Sequence, residues 1–220
     1  MSEAPAQVRE YAEQAVAYVQ RAVGVALEYD SNTLPLLDHY LRAPEIATGP
    51  VEATQLVVAT AGAYFGEVVR LTLGGRWELP AVATDDKHAR TGAEGWRMVL
   101  PTGISFSPTG FVAAAIARAD LADLDTEMTA PPRILPHLES ALARMGELTV
   151  EDYYSLCGRL DTLEHVHEVL VAVAAQLMGN AEGAAAADAD PDLDLNDGSE
   201  GPGRPDFVVP VSDEPSGPLN

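Results

Sequence analysis

One stretch governs what this chain can fold into. Between Gly49-Pro50 and Gly74-Gly75 the sequence runs VEATQLVVATAGAYFGEVVRLTL. At helical spacing, Leu56, Val57, Val58, Ala61, Tyr64, Phe65, Val68, Val69, Leu71 and Leu73 cover most of its circumference. Only a narrow stripe of Glu52, Gln55, Ala59, Ala63, Glu67 and Arg70 is left over. A helix apolar almost all round must be enclosed by other elements, so the rest of the chain has to be built around it. Pro50 sits where a missing backbone N–H costs little, and Gly74 can take the left-handed conformation that closes a helix.

The enclosing elements are legible in outline. Val8, Tyr11, Ala15, Tyr18, Val19, Ala22 and Ala26 recur at helical spacing and predict an amphipathic helix from about 4 to 27. DSNT offers capping residues before a short helix, LPLLDHYLR, which a loop, RAPEIATGP, follows. After Gly75 the period changes. RWELPAV and WRMVLPTGISFSP, bounded by Pro and Gly and separated by the polar TDDKHARTGAEG, predict a small antiparallel strand pair. TGFVAAAIARADL and residues 134–145 predict two more helices. Thr149 caps a last one, running to about 178 with Gly158 as a weak point.

From Gly179 the composition turns to Ala, Gly, Pro and Asp, which cannot bury enough apolar surface to offset ordering entropy. The expected architecture is therefore α+β and predominantly helical: one domain over 5–178, with a central buried helix and a small strand pair, then a disordered acidic tail over 179–220. Leu156, Leu163, Leu170 and Leu177 fall seven apart, a spacing that admits a homodimer through the last helix. The apolar stripe is wider than a two-stranded seam, however, because Cys157, Val166, Val169, Val171 and Val173 flank it, which favours packing within a monomer.

Composition narrows the function classes. A formal charge of −21 opposes binding to nucleic acid or anionic membrane, which needs clustered Lys and Arg, and suits a basic protein partner. The single Cys157 excludes an internal disulfide framework and accords with a soluble cytoplasmic protein. No nucleophile elbow, phosphate-binding loop or dinucleotide fingerprint is present. In EHVHE, at 164–168, Asp161 with His165, and Glu164 with His167 or Glu168, reach ligand spacing, but two-ligand faces are common in acidic helices, and no metal or cofactor is expected. DADPDLDLNDGSE fails the calcium-loop pattern, because Asp197 stands where the sharp turn needs Gly. In the tail, DFVVPV with Phe207, Val208 and Val209 is an apolar island that can add as a strand to a partner's sheet edge.

The segment GAYFGEVVRLTLGGRW holds the remaining candidates. Gly62 and Gly66 lie on one helical face and remove side chains where another element can approach, at about 1 kcal/mol each relative to Ala. Gly74, Gly75 and Trp77 then carry the chain into a strand. Glu67 has two readings. With Arg70 and Tyr64 it forms the weak core of a catalytic carboxylate site; or it accepts hydrogen bonds from Trp77, Arg70 or the backbone and is structural.

The same segment resembles a family of uncharacterised bacterial domains in which a Gly-Ala-Tyr-x-Gly-Glu helix leads into a Gly-Gly-x-Trp strand. LPLLDHYLR and LTVEDYYSL are consistent with it, over roughly residues 5–178. The resemblance implies no catalytic residue. Some small bacterial domains of this look serve in toxin immunity or as adaptors, which adds to a non-catalytic binding or regulatory role. The alternative is a small enzyme built around Glu67.

Overall fold

A computed structural model describes residues 3–80, 93–120 and 126–187. Most of the polar segment around His88, the calcium-like segment, the apolar island of Phe207, Val208 and Val209, and the tail beyond Ala187 lie outside the described residues; residues 179–187, expected to begin a disordered tail, are helical. The chain divides into two units, Met1–Asn180 and Ala181–Asn220, and of the second only the helical residues 181–187 are described.

The order of elements is α1 (Ala6–Val23), α2 (Leu34–Leu41), α3 (Pro44–Thr48), α4 (Val51–Leu73), β1 (Arg76–Glu78), β2 (Arg97–Val99), β3 (Ser105–Phe106), α5 (Pro108–Ala117), α6 (Leu135–Arg144), α7 (Val150–Tyr153) and α8 (Leu156–Ala187). The fold is α+β and predominantly helical, as its patterning demands. Helix α4 is its centre: every residue from Thr60 to Val69 is buried. By length and composition α4 is apolar enough to cross a bilayer, yet 61% of that stretch is covered by the protein itself. Ala63 and Glu67, expected on the polar stripe, are enclosed with the rest, while Glu52 and Gln55 at the helix start stay exposed.

Two helices do most of the enclosing. Helix α1 lays Val8, Ala12, Ala15 and Val19 against α4, the two alanines allowing close approach. It stops at Gly24, whose φ of 85° ends the helix short of the expected Leu27. Helix α5 packs on α4 with Pro108 to Ala115 all buried. Its N-terminus is capped by Ser107, whose hydroxyl accepts from the Gly110 N–H at 3.1 Å. This end sits directly over Gly62: a Cβ there would lie 2.8 Å from Thr109 Cα and 2.9 Å from its backbone nitrogen.

Between α4 and α5 the expected strand pair is a three-stranded antiparallel sheet in the order β1-β2-β3, with Trp77 opposite Met98 and Met98 opposite Phe106. WRMVLPTGISF is thus two strands and not one. Its middle folds back through Pro101 to Gly103, with the Gly103 N–H on the Leu100 carbonyl and the Leu100 N–H on the Ile104 carbonyl. Gly74 holds φ 73° at the end of α4, and Gly75 lies against Met98. The segment expected as a loop after α2 contains α3, begun by Pro44 with Glu45 in its first turn.

The last helical region is broken earlier than Gly158. Helix α7 ends at Tyr153, and α8 starts at Leu156. The break exists because the first N–H groups of α8 are taken up from elsewhere. Buried Asp38, on α2, accepts from the Leu156 N–H at 2.8 Å and the Cys157 N–H at 3.1 Å, and Ser155 Oγ accepts from the Gly158 N–H at 2.9 Å. A Cβ on residue 158 would overlap the Asp152 carbonyl, so the glycine is what allows the two helices to meet so closely. Asp38→Ala is expected to cost about 2–3 kcal/mol, because two enclosed N–H groups lose their acceptor. Hydrogen exchange at Leu156 and Cys157 checks it, with Asp38→Asn losing less. Along α8, Leu156, Leu160, Leu163, Val166 and Leu170 are buried, whereas Val171 and Leu177 are exposed. The leucine spacing therefore serves the domain core through Leu170.

Candidate functional site

On α4, Glu67 and Arg70 are three residues apart and face the same side. The turn at Gly74-Gly75 sends β1 back along that side, which brings Trp77 over Gly66. A Cβ on residue 66 would overlap the Trp77 ring, so Gly66 makes room for the indole. With the ring seated there, Trp77 Nε1 donates to Glu67 Oε1 at 2.6 Å. Arg70 Nε donates to the same oxygen at 2.9 Å, and Arg70 Nη2 to Glu67 Oε2 at 2.9 Å. The side chains of Glu67 and Arg70 are only 7% and 11% exposed. Both carboxylate oxygens thus carry charge-assisted bonds in a nearly dry setting. Those bonds hold the Arg70 guanidinium still more firmly protonated than usual.

Tyr64 does not join this group. Its hydroxyl is buried against the segment that precedes α2, accepting from the Tyr29 N–H at 3.0 Å and paired with Thr33 Oγ1 at 3.0 Å. These contacts hold Tyr29 at a φ of 57°, uncommon for a residue with a side chain. Burial raises the Tyr64 phenol. Burial, with the charges of Glu13, Tyr64 and Glu67, pushes Tyr29 up to about 12. Among the described residues, Glu67 also lines a groove of about 280 Å³ with Arg9, Ala12, Glu13, Tyr29 and Leu71. Glu67 and Arg70 are therefore brought together with Trp77, and Tyr64 stands apart.

The other candidates of the sequence are placed as follows. Cys157 is half-buried at the start of α8, and burial together with the hydrogen bond to Asp38 pushes its thiol up to about 12, which leaves almost no thiolate near neutral pH. Burial lowers His167 and, with Asp161 beside it, raises Glu164. Among the described residues no three His, Cys, Asp or Glu side chains come together as a metal site would require.

Sequence reasoning missed one residue of evident chemical interest. Arg159 lies on α8, 8% exposed, with its guanidinium 4.8 Å from the centre of the Phe111 ring and 4.3 Å from that of Tyr153. Its Nε and Nη2 are buried and have no hydrogen-bond partner among the described residues. It lines a cavity of about 650 Å³ between α6, α7 and α8. The signal available in the sequence was a lone arginine, between Gly158 and Leu160, on the face of α8 that carries the apolar seam. Compared with known proteins, the chain matches no family model, no curated protein and no solved structure.

Proposed function

We propose that the chain is a non-catalytic binding or regulatory protein, of the immunity or adaptor kind, acting on a basic protein partner in the cytoplasm. One observation carries the reading. The carboxylate best placed to do chemistry has both oxygens engaged by Arg70 and Trp77, and a group so occupied is poorly placed to take a proton from a substrate. The alternative, an enzyme using Glu67, Arg70 and Tyr64, needs a convergence of three groups, and the Tyr64 hydroxyl is committed to Thr33 and the Tyr29 N–H. The charge of −21 supplies the partner's sign, since complementary charge speeds encounter and excludes acidic competitors.

The full chain, immobilised and exposed to native lysate at low salt, is expected to retain one basic protein in stoichiometric amount and release it as salt is raised. Glu67→Gln, which keeps an acceptor for Trp77, is expected to retain the same protein with unchanged salt dependence. Retention of nothing reproducible, or loss of retention in Glu67→Gln with the fold intact by circular dichroism, overturns the proposal.

A further inference from the structure

Exposed apolar side chains are ordinary when scattered and informative when they share one concave wall. Leu142 of α6, Leu148 in the connection to α7, and Val150 and Tyr153 of α7 are 36%, 41%, 71% and 40% exposed. All four line the cavity of about 650 Å³ between α6, α7 and α8, together with half-buried Met128 and Met145. The core does not account for them. Helix α6 already gives Leu138 and Ala141 to the interior, and α7 has no buried residue. The wall is therefore apolar in excess of what the fold uses, and methionines in such a wall adapt to varied shapes.

Beside this wall, carboxylates prevail. Glu127 lines the cavity, and Glu147 stands between the wall residues Gly146 and Leu148. Both are exposed, and neither pairs with a cation among the described residues. From residue 139 to 152, Glu139, Glu147, Glu151 and Asp152 outnumber the one arginine, Arg144. Among the described wall residues the cation is Arg159, and it is enclosed. Its guanidinium lies against the Phe111 and Tyr153 rings and forms an ion pair with Asp120 at 4.0 Å, so it belongs to the fold and not to a guest.

We infer that this groove receives a basic amphipathic helix of a partner protein, its apolar face on Leu142, Met145, Leu148, Val150 and Tyr153 and its lysines or arginines beside Glu127 and Glu147. The inference rests on the reading of a basic protein partner and says where that partner is held. The described walls come from α6, α7, α8 and residues 126–128, none of them a strand edge. An extended segment would find no backbone partner there, whereas a helix satisfies its own N–H and C=O groups. A second copy of the chain would bring Glu127 and Glu147 against an equally acidic rim, with a charge of −21 on each chain. A cationic guest instead meets carboxylates that have no other ion pair among the described residues.

Fluorescence anisotropy of the full chain with a labelled synthetic peptide tests it, the peptide carrying leucine at i, i+3, i+4 and i+7 and lysine elsewhere. It is expected to bind with a Kd of about 1–10 µM at low salt, and its counterpart with glutamate for lysine should not bind measurably. Leu148→Ser with Val150→Ser, two side chains the core does not use, is expected to weaken the lysine peptide roughly tenfold or more. Val171→Ser with Leu177→Ser, similarly exposed on α8, should leave binding unchanged, which separates the groove from general attraction to an acidic surface. Glu127→Gln with Glu147→Gln should weaken binding severalfold at low salt and flatten its salt dependence. In the lysate experiment, a basic protein retained by the parent and lost by Leu148→Ser with Val150→Ser supports both readings. One retained equally by the two chains leaves the basic partner standing and overturns the groove. If the lysate yields no protein, the basic-partner reading falls and the peptide results alone decide the groove. The inference is also overturned by equal peptide binding to Leu148→Ser with Val150→Ser, by equal loss in Val171→Ser with Leu177→Ser, by glutamate-peptide binding as tight as the lysine peptide's, or by a parent dimer that the groove variant converts to a monomer in light scattering.

Discussion

Glu67→Ala is expected to cost the fold about 3–5 kcal/mol, the loss typical of removing one member of a buried ion pair. The reason is what stays behind. Arg70, at 11% side-chain exposure, would keep its charge with its carboxylate partner gone, and Trp77 Nε1 would lose its acceptor. Glu67→Gln retains an oxygen for the indole and should lose less than the alanine variant. Glu67→Leu with Arg70→Leu, which removes both charges and leaves apolar volume, should recover most of the loss. Urea denaturation followed by tryptophan fluorescence measures all three. A Glu67→Ala chain as stable as the parent would show that the Glu67–Arg70–Trp77 group does not support the fold.

The second large effect concerns Gly62. In the middle of α4, alanine gains up to about 1 kcal/mol over glycine in helix propensity, so a site free of neighbours would be stabilised by the change. Here the new Cβ enters the backbone of Thr109, at the first turn of α5, and backbone cannot turn aside as a side chain can. Gly62→Ala is expected to be destabilising by about 1–2 kcal/mol, and Gly62→Val by about 3 kcal/mol or more. Thermal unfolding checks the order. At Gly66 the obstacle is the Trp77 ring, which is also the donor to Glu67. Gly66→Ala and Glu67→Gln should therefore be non-additive in a double-mutant cycle.

The parts of the fold that were legible in the sequence share a local cause. Helix α4 could be bounded because Pro50 and Gly74 act on their own backbone, and it could be placed in the centre because its apolar residues leave no broad polar face. The Glu67–Arg70 pair follows from spacing along one helix. What stayed hidden depends on neighbours distant in the chain. One helix was expected from Thr149 to about 178, with Gly158 only a weak point, but it is interrupted at Tyr154-Ser155, where Asp38 becomes available to the N–H groups of Leu156 and Cys157. The third strand was hidden because Pro101, Thr102 and Gly103, which form the turn from Leu100 to Ile104, were taken to lie within one short segment and not to divide it. Arg159 was passed over because its interest lies in its unmatched donors, and an unmatched donor has no signature in a sequence.

The cap that Asp38 places on α8 joins residues 118 positions apart in the chain. Helices usually carry their own start signal close at hand, so they can begin locally and dock later. Here Asp38 supplies a start signal for the longest helix from α2, and that contribution arrives only once α2 has been settled against its neighbours. The start of α8 is thus held both by Ser155 beside it and by Asp38 far from it in the chain. A chain cut before Leu156 would leave the Asp38 carboxylate without the two donors it holds in the intact fold. The beginning and the end of the domain are for this reason one cooperative unit.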